Sequence, residues 1–165
     1  MPIEQTRSPL PYQRPSEALR PATLDVRTDG VLGRRFFAYL LDLLVVLGLT
    51  LVLGFAILLL GFLTLGLAWW LFAILGPGTA ILYSALTVGG PSQGTYGMRA
   101  MGLRVVDAGT GGPVDLLTAA VHALLFYVAA GTLVLLVLDV LVGAVRADRR
   151  LGHDLLVGVL LVRRT

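Results

Sequence analysis

Six side chains in an otherwise apolar chain are of types that can do chemistry in or beside a lipid bilayer: Arg35, Asp42, His122, Asp139, His153 and Asp154. Asp42 is the most informative, because it is the only charged residue between Phe36 and Val88. A carboxylate inside a membrane helix is costly to hold there, so it marks a functional site whose partner must be named. Arg35 is the expected partner. It precedes Asp42 by seven residues, and seven steps of about 100° return to within about 20° of the same helix face, about 10.5 Å away along the axis. The two share a face without having to touch, and Arg35 at the edge of the apolar run can also reach lipid headgroups. An acid with an arginine nearby is what a proton or cation pathway would use, and equally what a buried structural pair would use.

The other candidates read more plainly. Asp139 stands near the end of a later apolar block and is either a second intramembrane acid or, if that segment lies at the interface, merely solvated, the reading we prefer. His122 and His153 are 31 residues apart, without companions at metal-motif spacing, so no zinc site is expected; His122 reads as a packed or interfacial histidine. His153 beside Asp154 can titrate near neutral pH, but adjacent residues on a helix point different ways, so the two do not read as a dyad. Cysteine is absent, which excludes disulfides and thiolate metal sites. No glycine-rich phosphate loop, nucleophile elbow or HExxH motif occurs, and Gly109 to Gly112 reads as a turn. Neither catalysis nor a cofactor is expected.

The elements that must position these groups are set by composition. The chain has 165 residues, 56% hydrophobic and 14% charged, with a mean hydropathy of +0.85, against about 25% charged in soluble domains. An all-α membrane protein follows. The 53 residues from Phe36 to Val88 would make a helix far longer than the roughly 30 Å core of a bilayer, so two spans are required, at 34–60 and 67–88. Gly61, Thr64 and Gly66 form the turn of this transmembrane hairpin, with Trp69 and Trp70 at the far interface. Gly76, Ala80 and Ser84 recur every four residues as a smooth packing stripe, and Pro77 should kink the second span.

A polar, glycine-rich loop covers 89–115. Within it Leu103, Val105 and Val106 suit a strand, and Val157 to Val162 supplies a second, so a small two-stranded cytoplasmic β-ribbon can form. The third apolar segment, 116–145, has two readings. A single crossing would carry Arg146, Arg149, Arg150, Arg163 and Arg164 to the outside, against the positive-inside tendency. A broken or re-entrant segment turning near Ala129, Ala130 and Gly131 keeps both strands on one side, provided protein or water covers its backbone. We prefer the broken segment.

Residues 1–30 hold five of the eight prolines, with Arg and acidic residues in balance, and read as a disordered cytoplasmic tail ahead of a membrane domain at 31–165. The tail has no apolar core of signal-peptide type. All thirteen basic residues are Arg, in small groups flanking apolar runs, which suits helix anchors on the cytoplasmic side and not nucleic-acid binding. The expected partners are the lipid bilayer and, because so few helices make a thin pathway, further copies in a homo-oligomer or other subunits of a membrane complex.

Three stretches, GRRFFAYLLD at 33–42, QGTYGMRAMGLRVVD at 93–107 and RRLGHDLLVGVLLVRR at 149–164, occur in the order in which they resemble the RDD family of small bacterial membrane proteins. That family is named for one Arg and two Asp residues, and the resemblance assigns these roles to Arg35, Asp42 and Asp154. Met98 departs from it, since the family's central motif usually has Lys there. The resemblance implies a multi-pass protein of the bacterial cytoplasmic membrane, described as transport-related, with ion exchange suggested for some members. Two functions stay open at this point: movement of a small solute or ion by an intramembrane carboxylate, or a non-catalytic membrane subunit whose Arg and Asp residues fix helix packing.

Overall fold

The computed structural model describes residues 28–164, so the tail expected over 1–30 lies almost wholly outside the described residues. The first helix, α1, is Val31–Leu63. It starts at Gly30, whose left-handed backbone (φ 67) suits glycine, and stops where Gly66 N–H returns to Gly61 O at 2.7 Å across the left-handed Leu65 and Gly66. Its 33 residues amount to about 50 Å, longer than the expected 34–60 by about a turn at each end. A 3-10 turn, Leu67–Leu71, leads into α2, Phe72–Val88. Trp69 lies against Gly61, where any Cβ would overlap its indole, and its Nε1–H donates to Leu58 O at 3.3 Å. This glycine therefore closes the far end of the hairpin. Of the small-residue stripe on α2, Ala80 is buried and Ser84 half-buried, whereas Gly76 faces open space. Pro77 lies within α2, which runs on past it.

The polar loop contains one helical turn, α3 (Tyr96–Ala100), and a strand, β1 (Leu103–Asp107). β1 pairs antiparallel with β2 (Val159–Arg163) in the register Leu103 opposite Arg163 to Asp107 opposite Val159. The expected ribbon forms. Alternation puts Leu103, Val105, Val159 and Leu161 on one face, where they meet Val31 of α1, Val88 of α2, Val114 and Ala119; Val106, Leu160 and Val162 cluster on the other. Gln93 ties the loop together, since its amide donates to Gly90 O and Val114 O, at 2.9 and 3.0 Å, and accepts from Val114 N–H.

The third block is broken. Asp115 caps α4 (Leu116–Ala130) by accepting from the N–H groups of Leu117 and Thr118, and Gly131 and Thr132 separate it from α5 (Leu133–Val145), which bends away by 119°. A six-residue helix, α6 (Gly152–Val157), then leads into β2. Because β1 and β2 pair, both ends of the 116–145 block lie at the same end of the hairpin. A single straight third helix does not form. Among the described residues, two helices, Val31–Leu63 and the stretch Leu67–Val88, are long and apolar enough to cross a membrane, and the bent pair α4 and α5 passes the same test only when taken together.

Candidate functional site

Asp42 does not meet an arginine. Its carboxylate is buried and accepts three hydrogen bonds: from Tyr83 Oη at 2.6 Å and Gly97 N–H at 2.8 Å on Oδ1, and from Thr95 Oγ1 at 2.5 Å on Oδ2. The donors come from α2, from α3 and from the residue capping α3, so Asp42 joins three elements at one point. Thr95 passes the bond on, accepting from Met98 N–H at 3.1 Å as the N-cap of α3, and Tyr83 Oη accepts from Tyr96 N–H at 2.9 Å. Gly97 is needed for the approach. A Cβ there would collide with Ala38 O and the Asp42 carboxyl group.

Arg35 instead reaches Asp154, to which the resemblance assigned the second Asp of the family's name. The pair is bidentate, Nη1 to Oδ2 at 2.5 Å and Nη2 to Oδ1 at 2.8 Å, the strong geometry of a guanidinium on a carboxylate. Asp154 has 0% of its surface exposed and takes further donors on both oxygens. His122 Nε2 lies 2.9 Å from Oδ1, and Leu151 N–H donates to Oδ2 at 2.9 Å, so Asp154 also caps its own short helix. Burial alone would raise this carboxyl group. The Arg35 charge and hydrogen bonds, with His122 and His153 beside it, overcome that and hold it well below the usual carboxylate range.

Asp139 is buried, not solvated at the interface as its position suggested, because the bend carries α5 back over α6. It accepts from His153 twice: backbone N–H to Oδ1 at 2.7 Å and Nδ1 to Oδ2 at 2.8 Å. Gly152 admits this contact, since a Cβ there would stand 3.0 Å from Asp139 Oδ1. In the neutral tautomer that donates from Nδ1 to Asp139, His153 Nε2 turns its lone pair inward. It faces Asp154 Oδ1 at 3.3 Å and Arg35 Nη2 at 3.5 Å. Adjacency on α6 therefore does not separate His153 from Asp154, since both side chains turn into the one cluster. Burial pushes the His153 imidazole below its ordinary value against the pull of the Asp154 charge. The rings of His122 and His153 lie 4.8 Å apart.

Beside these groups lies a cavity of about 380 Å³ bounded by α1, the end of α2, α3, α4, α5 and the start of α6, which Asp139 and Asp154 do not themselves line. Arg35, Asp42, His122 and His153 line its polar side, and Phe36, Tyr39, Phe126 and Tyr127 its apolar side. Asp42, Asp139 and Asp154 thus share one neighbourhood with Arg35, and Arg150 Nη2 donates to Asp154 O at 3.3 Å. Arg34, beside Arg35 in sequence, points elsewhere and donates to Met101 O at 2.8 Å. Of the expected residues, Arg35 and Asp154 come into direct contact, while Asp42 occupies a separate node on the same cavity. Sequence reasoning set aside His122 and Asp139, and the one usable signal was that each interrupts an apolar helix.

A family model described as the RDD family matches residues 30–158, a range that includes Arg35, Asp42 and Asp154 together with His122 and Asp139. No curated protein and no solved structure matched the chain.

Proposed function

Since the chain belongs to the RDD family and is a membrane protein, we propose that it moves a small solute or ion through the bilayer, with the cavity as its binding site. One observation carries the reading: Asp42, His122, His153 and Arg35 form one wall of a cavity whose other wall is apolar. Charged groups inside a membrane protein are retained at this cost chiefly where something charged must be bound or passed. The cavity lies at the end of the hairpin that carries Arg34, Arg99, Arg104, Arg163 and Arg164. By the positive-inside tendency that end is cytoplasmic, and the N-terminus with it. Towards the far end of α1, Leu51, Val52, Phe55 and Phe62 are all exposed. A pathway there needs a second copy of the chain or another subunit to complete it.

The test is flux into proteoliposomes carrying an internal pH-sensitive dye, with Na+, K+ or Zn2+ added outside. Wild-type protein should give cation-dependent proton movement, and Asp42→Asn and Asp154→Asn should each reduce it by tenfold or more. Equal flux in wild type and both variants removes the reading. A second reading, a non-catalytic subunit of a membrane complex, is favoured by the full set of donors on Asp42, which is what a packing device needs. It predicts no flux from the purified protein together with a reproducible co-purifying partner that is lost on Asp42→Asn.

A further inference from the structure

Both histidines of the chain converge on one carboxylate oxygen, although they come from α4 and α6. We propose that His122, His153 and Asp154 form a binding site for a divalent transition-metal cation of the zinc class, with Asp139 as the carboxylate behind His153 and Arg35 holding the place of the metal when it is absent. The proposal rests on the transport reading only in naming the cation as the solute. Binding itself stands apart from it.

The geometry is close to what such an ion requires. Ligand atoms at about 2.0–2.1 Å from a tetrahedral Zn2+ stand about 3.3 Å from one another. Asp154 Oδ1 lies 3.3 Å from His153 Nε2 and 2.9 Å from His122 Nε2, and the three ligating atoms all fall within 4.8 Å of one another. Only the separation of the two histidine nitrogens has to close. The hydrogen bond from His153 Nδ1 to Asp139 at 2.8 Å is the outer contact that metal-ligating histidines make, fixing the tautomer and presenting Nε2. Without a cation, that lone pair faces a carboxylate oxygen at 3.3 Å, with a long Arg35 contact as its relief. The cavity leaves a fourth coordination position open for water or solute.

Two adjustments admit the ion. His122 shifts its ring proton from Nε2 to Nδ1, and Arg35 withdraws Nη2 from Oδ1 into the cavity it already lines while Nη1 keeps Oδ2. Two imidazoles with one carboxylate select a zinc-like ion over Mg2+ or Ca2+, which prefer oxygen.

The chain has only these two histidines and no cysteine, so a preparation with a histidine-free tag reports on this site directly. Full-length protein in nanodiscs is titrated with Zn2+, and with Co2+ to read the absorption of a four-coordinate nitrogen and oxygen site. One ion per chain and a tetrahedral Co2+ spectrum are expected. Asp139→Asn should weaken binding about 10–100-fold, His122→Gln and His153→Gln at least as much, and Arg35→Gln should tighten it about tenfold by removing a like charge. Wild-type protein that binds Zn2+ no tighter than about 1 mM overturns the site, as does unchanged binding in the doubly substituted His122→Gln, His153→Gln chain; the wild-type Co2+ spectrum decides even if a variant fails to fold. Zn2+ bound with no cation moved into proteoliposomes leaves the site and removes the transport reading. Na+ or K+ moved with no Zn2+ bound does the reverse.

Discussion

Cutting the bond between Arg35 and Asp154 should destabilise the protein unequally from its two ends. Arg35→Gln leaves Asp154 fully buried with only His122 and Leu151 N–H as donors. It loses both guanidinium bonds, at 2.5 and 2.8 Å, and has no route to solvent. Removing one partner of a buried pair in this way costs about 3–5 kcal/mol. Asp154→Asn is milder, because the Arg35 side chain is 12% exposed and lines the cavity. Its flexible stem can carry the charge toward headgroups or water, so we expect about 1–3 kcal/mol, mostly the loss of charge-assisted hydrogen bonds. The double substitution should cost less than the two singles added together, by about 2 kcal/mol, since each single already breaks the shared contact. Reversible unfolding in mixed micelles, followed by far-ultraviolet circular dichroism, measures all three. As a thermal midpoint the Arg35→Gln loss corresponds to roughly 6–20 °C. A loss under about 1 kcal/mol for Arg35→Gln, or additivity within about 0.5 kcal/mol, would refute the reasoning.

Asp42→Asn leaves one acceptor oxygen where two now serve, so either the Thr95 hydroxyl or the Tyr83 hydroxyl and Gly97 N–H must give up or reverse its bond, which should cost about 1–3 kcal/mol and speed tryptic cleavage after Arg99 by loosening α3. Gly97→Ala should do the same through the clash with Ala38 O and the Asp42 carboxyl group; cleavage unchanged in both variants would remove Asp42 as the tie between α1 and α3. In the cysteine-free background, Thr110→Cys and Arg164→Cys should react with an impermeant thiol reagent from the same side of sealed vesicles and Leu65→Cys from the other; opposite sidedness of the first two would break the ribbon. The Asp115 carboxyl group is lowered first by the Thr118 side chain and then by its N–H. Its contribution is therefore present above the unfolded value of about 4 and lost as pH falls below it. The midpoint difference between wild type and Asp115→Ala should shrink between about pH 5 and pH 2, and a difference independent of pH would mean the cap does not depend on charge.

The hairpin was legible because a long apolar run with one charge can only fold back on itself in a bilayer, and the turn at Gly61 and Gly66 follows from glycine placement. The break in the third block was legible through charge, since five arginines after Val145 oppose a crossing. Asp42 stood out because a carboxylate is costly where it lies, whereas Arg35 and Asp154 were singled out by the family resemblance. Their pairing did not stand out. Helix periodicity links Arg35 to Asp42 on one face, whereas the contact that forms joins residues 119 apart, and no local rule sees across that separation. His122 and Asp139 stayed hidden for a related reason: a lone polar residue in an apolar helix reads the same whether it faces lipid headgroups or a cluster made by a helix of six residues. Gly97 of the glycine-rich loop and Gly152 of the last motif are the positions where backbone must come within reach of a carboxylate.

The span between Arg35 and Asp154 is also an interval of time. At about 5–20 residues per second, the ribosome needs roughly 6–24 seconds to make the 119 residues that separate them. Tyr83, Thr95 and Gly97, which hold Asp42, emerge 41 to 55 residues after it. The hairpin with its Asp42 tie can therefore close while the third block is still being made. Through that delay Arg35 has only headgroups and water for company. The cluster comes into being last, when α6 and β2 fold back together, so errors in inserting α4 and α5 fall on the cluster first and leave the hairpin standing.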